Sequence, residues 1–215
     1  MTTSLLNSLL RALLRWGAAL VFCLPLRHRT HFWARACGML LPLLLLAQLL
    51  DPLAQSTTLW QQQLLLLVLY ISFFALLGGM IYLCTDINKK GALYCAVWSL
   101  LIAQCAYESW CFLELQFTRY GHPLNMASPW AVLVQLLSGA VFFAAVYLLL
   151  ARQLPYKGEY HIGPRQLLSS FFIGSLFMVQ AAVLSDTSID SWPPSLVATL
   201  VTGQLYFLTL LYFQT

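Results

Sequence analysis

Charge is what this sequence has least of. Asp, Glu, Lys and Arg make up 8% of its 215 residues, while hydrophobic residues make up 60%. A soluble globule of that size would have too little polar surface to face water, so a soluble fold is excluded as the default. Catalytic patterns are missing as well. The chain has no H-E-x-x-H, no G-x-S-x-G, no adjacent Glu pair and no nucleotide-binding glycine pattern, the arrangements that chemistry of those classes requires. The six cysteines (Cys23, Cys37, Cys84, Cys95, Cys105, Cys111) include no C-x-x-C pair, which argues against a zinc or redox site and for inert thiols within apolar helices. No enzymatic activity, metal or cofactor is expected. No small-residue cleavage site follows the apolar stretch from Trp16 to Leu26, so the N-terminal segment reads as a retained helix and not as a secretory signal.

What the sequence does have is uncharged length. Residues 64–84, 129–151, 166–184 and 195–213 contain no charged side chain, and each matches the roughly 20 helical residues that cross about 30 Å of hydrocarbon. Two further helices are expected at 32–53 and 91–112. The first of these opens with Trp33 and Arg35, an aromatic ring and a long cation suited to an interface. A backbone in lipid must satisfy its own hydrogen bonds, and continuous helices do so. The fold class is therefore all-α: a polytopic helical bundle of six to seven helices forming one membrane domain over residues 1–215.

The first segment, 5–26, sets the count at six or seven. Arg15 falls near its middle and Arg11 lies one turn earlier on the same face. A central Arg costs about 2.5–3.5 kcal/mol on insertion scales, and the leucines of this segment offset roughly one such cost, not two. Either the helix crosses with both arginines facing the bundle or a water-filled cleft, or it lies at the interface as an amphipathic helix.

The basic excess of +4 reports topology and not nucleic acid. Of the eleven Lys and Arg, Arg11 and Arg15 lie in the first segment and Arg119 alone lies in the 113–128 connection. The other eight belong to alternate connections: Arg27 and Arg29, with Arg35 just beyond; Lys89 and Lys90; Arg152, Lys157 and Arg165. The positive-inside rule assigns these connections to the cytoplasm, and the C-terminus with them. All four histidines (His28, His31, His122, His161) fall in connections, where a solvated imidazole is the ordinary state.

Inside the apolar segments, ionisable residues are the functional candidates, because their burial must be offset. Glu108 is the foremost, with Gln104 one turn before it and Tyr107 and Trp110 beside it. With Trp130 at the head of the next span, these five form a candidate ligand-binding or signalling site in the outer half of the fourth and fifth helices. A structural tie between helices is the plainer role for Gln104 and Glu108, and Glu114 is expected to be solvated at the outer interface. The pair Gly78–Gly79 suggests close helix packing. The strip Ser138, Gly139, Ala140 and Ala144 suggests packing within the monomer or a homodimer face.

Three stretches carry a resemblance: CLPLRHRTHFWARACGMLLPLLLL, CTDINKKGALYCAVWSLLIAQCAYESW and RQLPYKGEYHIGPRQLLSS. In this order and spacing they resemble the N-terminal membrane region of Agr-like sensor histidine kinases of Gram-positive bacteria, whose cytoplasmic ATPase is of the GHKL class. The middle stretch is the most specific, with Asp86 opening the helix, then Ala92, Leu93, Cys95 and Ala96, and Gln104 about three turns on. The resemblance implies a multi-pass receptor in a bacterial cell membrane. It would detect an extracellular peptide or small ligand and pass a conformational change to a cytoplasmic kinase region in cis or in trans. The family's phosphoacceptor histidine and ATP-binding domain have no counterpart in these 215 residues. A truncated sensor region and a kinase-less relative both fit that departure. Two other classes fit the composition alone: a small transporter or channel, and a non-catalytic scaffold subunit.

Overall fold

The computed structural model describes residues 2–55, 59–119, 129–149, 151 and 163–185. Among them the chain is all-helical, with six helices: α1 (Thr2–Cys23), α2 (Phe32–Gln55), α3 (Leu59–Cys84), α4 (Lys89–Arg119), α5 (Pro129–Leu149) and α6 (Pro164–Ser185). The helix expected at 195–213 lies outside the described residues. Among the described residues, two helices contain stretches long and apolar enough to cross a membrane, Leu67–Cys84 in α3 and Trp130–Leu148 in α5. The residues fall into two compact units, Met1–Tyr160 and His161–Thr215.

The helix ends have local causes. Asn88 caps α4, its Oδ1 accepting the Gly91 N–H at 2.7 Å; this satisfies one of the amides that a helix start leaves without an intrahelical partner. Asp86, which the sequence suggested would open this helix, instead pairs with Arg29 at 3.8 Å. Pro129 and Pro164 open α5 and α6, at the position where a missing N–H costs nothing. In the second unit, the Gln166 side chain reaches back to accept the Gly163 N–H at 3.1 Å, one half of a capping box. α4 runs to Arg119, well past the expected end at residue 112. Glu108 and Glu114 lower its hydropathy without weakening its main-chain hydrogen bonds.

In the first unit α1 is the central helix, packed against α2, α3, α4 and α5. Ala12, Ala18, Ala19 and Cys23 are completely covered. Its small residues allow this. A Cβ at Gly17 would lie 2.9 Å from the ring of Phe143, and one at Gly139 would lie 3.1 Å from Leu14 Cδ2. Leu14 thus faces Gly139 and Gly17 faces Phe143, so numbering rises together and α1 and α5 run parallel. The Trp16 indole donates to the Ala36 carbonyl at 2.7 Å and ties α1 to the first turns of α2. α3 and α4 meet where Gly78 faces Ala96 and Leu93.

The glycine pair of α3 divides its roles. Gly78 faces α4, while a Cβ at Gly79 would meet nothing within 4 Å. On α5, Gly139 is the buried member of the small-residue strip, and Ala140 and Ala144 are exposed. Opposite stability effects follow for two glycines in otherwise similar helical settings. Gly17→Leu should destabilise the fold by about 1–3 kcal/mol through overpacking against Phe143, whereas Gly79→Ala should stabilise it by roughly 0.5–1 kcal/mol through helix propensity. Reversible unfolding of the purified chain, followed by helical circular dichroism, checks both; equal effects would contradict the packing described.

Candidate functional site

Two places in the first unit gather charged side chains: a layer inside the bundle and one of its ends. The interior layer begins with α1. Arg11 and Arg15 are one turn apart on one helical face, and both turn into the bundle. Arg11 donates from Nη2 to the Tyr107 hydroxyl of α4 at 3.0 Å, with its guanidinium carbon 4.9 Å from the centre of the same ring. Arg15 lies over the ring of Phe73 in α3, 3.9 Å from its centre. A guanidinium is planar and weakly hydrated, so an aromatic face is a suitable surface for it away from bulk water. This arrangement packs α1 within the first unit with both arginines facing inward.

Gln135 of α5 belongs near this level. It lies one turn before Gly139, which faces Leu14, and so stands near Arg11 along the parallel α1–α5 contact. It is 5% exposed, and its Oε1 is buried without a hydrogen-bond partner. A buried acceptor left in this state costs about 1–3 kcal/mol. A single amide inside the 129–151 run is the sequence signal that marks it, and sequence reasoning passed over it.

The five residues predicted from sequence are placed as follows. Tyr107 is half-buried and bonded to Arg11, and Gln104 is half-buried one turn earlier. Trp110 is 3% exposed, but Trp130, at the start of α5, is 66% exposed. Glu108 lies on α4 between Tyr107 and Trp110, and its side chain is outside the described ones. The structure therefore joins Tyr107 to Arg11 and adds Arg15, Phe73 and Gln135 to the set of candidates.

The charged end is built from two connections. Arg29 N–H donates to the Cys84 carbonyl at 3.0 Å and Asp86 N–H to the Arg27 carbonyl at 2.8 Å, which makes His28 and Thr85 an isolated antiparallel bridge. Side chains reinforce it. Arg35 Nη1 donates to the Leu83 carbonyl at 2.9 Å, Arg29 lies over the Tyr82 ring at 5.0 Å, and His28 stacks on Phe32 at 4.1 Å. His31, with a left-handed φ of 59°, turns the chain into α2. The α1–α2 and α3–α4 connections, both basic, are thus clasped at one end of the helices.

Among the described residues no group of three or more His, Cys, Asp or Glu is arranged to hold a metal ion. Cys23, Cys84, Cys95 and Cys105 are buried, whereas Cys37 is exposed on α2. No protein-family model, curated protein or solved structure matches this chain.

Two outcomes are expected for the interior layer. Tyr107→Phe keeps the ring and deletes the acceptor for Arg11, and should cost about 1.5–3 kcal/mol of stability, the usual worth of a hydrogen bond to a charged group; Tyr107→Leu should cost more because it also removes the ring under the guanidinium. Gln135→Leu should instead stabilise the fold by about 1 kcal/mol, since it removes an unsatisfied acceptor at similar volume. Chemical unfolding of the three variants in the same lipid or detergent gives the comparison, and a destabilised Gln135→Leu would show that Oε1 has a partner in solution.

Proposed function

We propose that this chain is a multi-pass membrane sensor module, which relays an extracellular signal to a cytoplasmic kinase region in cis or in trans. Its six described helices, with a seventh at 195–213, would form the bundle. The alternate connections carrying Arg27, Arg29, Lys89, Lys90, Arg152 and Lys157 would face the cytoplasm. The sequence resemblance to the membrane region of Agr-like sensor kinases supports this reading, and so do the two stretches in α3 and α5 that are long and apolar enough to cross a bilayer.

The observation that carries it is the path along α1. Arg11 contacts Tyr107 of α4 and Arg15 contacts Phe73 of α3, while the C-terminal end of the same helix leads directly into the clasp. Arg11 and Cys23 are separated by roughly 18 Å of continuous helix at 1.5 Å per residue. A ligand that favours one packing of the Arg11–Tyr107 layer over another therefore biases the position of the basic end through a rigid element. This is a population shift, and its size is limited by the ligand's differential affinity for the two packings. Gln104, Glu108 and Trp110 lie on the α4 segment that carries Tyr107 and are the further candidates for ligand contact; the exposed Trp130 is the least suited of the five.

The test is a fusion of the chain, after Thr215, to a cytoplasmic histidine-kinase reporter. Arg11→Gln and Tyr107→Phe should each change basal autophosphorylation about fivefold or more, the lower range of ordinary coupling energies, while Trp130→Phe should leave it unchanged. Equal output from all three, with the fusion protein present at equal levels in the membrane, would remove the signalling role. Vesicle uptake or current carried by the unfused chain would favour a transporter instead.

A further inference from the structure

We propose that the clasped basic end is a binding site for an anionic phospholipid headgroup, with its phosphate held among Arg27, Lys89 and Lys90 and its glycerol and upper acyl chains against Leu24, Trp33 and Leu83. The inference rests on the membrane reading above and deepens it by naming a lipid partner.

Three observations lead to it. The first is the concentration of charge. The α1–α2 and α3–α4 connections would be separate basic loops in an open chain, but the His28–Thr85 bridge draws them together. Arg27, Arg29, Arg35, Lys89 and Lys90 share this end, and Asp86 is the one carboxylate among these described residues. Neither α2 nor α4 has an acidic residue in its first turn, so no further negative charge reduces the field there.

The second is which cations remain available. Arg35 is bonded to the Leu83 carbonyl, and Arg29 is shared between Asp86 and the Tyr82 ring. Arg27, Lys89 and Lys90 are exposed, as are His28 and His31. The engaged arginines hold the scaffold while the exposed cations face outward.

The third distinguishes a lipid from a soluble anion. Leu24 is 40% exposed, Trp33 61% and Leu83 45%. Leu24 follows the last residue of α1, Trp33 is in the first turn of α2, and the Leu83 carbonyl is the acceptor for Arg35. Large apolar surfaces thus adjoin the cations at the same end. A free phosphate or a nucleic acid has no group to cover them, whereas a phospholipid offers both an anionic head and an apolar body. Juxtamembrane Lys and Arg are known to draw anionic lipids in this manner, and an interfacial Trp sits at headgroup level.

The test uses the full chain purified in detergent and titrated separately with phosphatidylglycerol, phosphatidylcholine and inorganic phosphate, with bound lipid counted by native mass spectrometry. Phosphatidylglycerol should bind in preference to phosphatidylcholine. The Lys89→Gln/Lys90→Gln pair should weaken phosphatidylglycerol binding about thirtyfold, from the usual contribution of two cations near an anionic surface, and leave phosphatidylcholine binding unchanged. Asp86→Asn, which deletes the single acid and releases Arg29, should strengthen it, so the site is read in both directions. Equal binding of the two lipids, a selectivity indifferent to both variants, or displacement of the lipid by an equal concentration of inorganic phosphate would each overturn the headgroup site while leaving the membrane reading intact. Absence of binding by either lipid would overturn the membrane reading and this site with it.

Discussion

The clasp between the two basic connections is the constraint on which the rest of the first unit depends. Two main-chain hydrogen bonds, Arg29 to Cys84 at 3.0 Å and Asp86 to Arg27 at 2.8 Å, hold the α1–α2 hairpin against the α3–α4 hairpin at one end. With that end fixed, α1 and α3 arrive where α2 and α4 depart. α5 then runs parallel to α1, as the facing pairs Leu14–Gly139 and Gly17–Phe143 require. Strands are absent as named elements among the described residues, yet this single strand-like bridge sets which ends of the helices are neighbours. Its cations also repel one another, so the main-chain bonds and the Arg29–Asp86 and Arg35–Leu83 contacts must hold them together. The Arg29–Asp86 pair, partly exposed and 3.8 Å apart, adds little by itself; the weight falls on the backbone.

The second constraint is the pair of guanidiniums on α1. Arginines one turn apart in an apolar helix demand either water or a suitable internal surface, and the bundle supplies Tyr107 and Phe73. That requirement explains why a helix carrying two arginines is the one at the centre of the unit. Outside, it would leave two charges toward an apolar surround; inside, both find rings and one finds a hydroxyl. The same placement gives the proposed sensor its internal lever, since the helix that bears the polar layer is the helix that leads into the clasp.

Much of this was legible in the residues. Spacing of charges located five of the helices to within a few residues at most ends, and Arg11 and Arg15 could be read as sharing one helical face. Tyr107 was read as a site residue, but its partner Arg11 was not, because nothing in sequence pairs two positions so far apart. Asp86 and Asn88 are equally good helix caps by residue type. Asn88 takes the role because Asp86 is drawn into the bridge, a long-range event invisible to local propensity. Gly78 and Gly79 look alike in sequence, and only the path of α4 separates the packed glycine from the open one. Gln135 carried a signal, a lone amide in an uncharged run, that hydropathy counting does not register.

The central claim is that the two basic connections are neighbours at one end of the bundle. Cysteines placed at His28 and Thr85, in a chain whose native cysteines are replaced by Ala or Ser, test it most directly by mild oxidation of the purified protein. The account predicts rapid and nearly complete intramolecular disulfide formation for this pair and none for a pair at His28 and Ser109, which lie toward opposite ends of the helices. Failure of the first pair to cross-link while the chain keeps its helical content, or equal cross-linking of both, would contradict it.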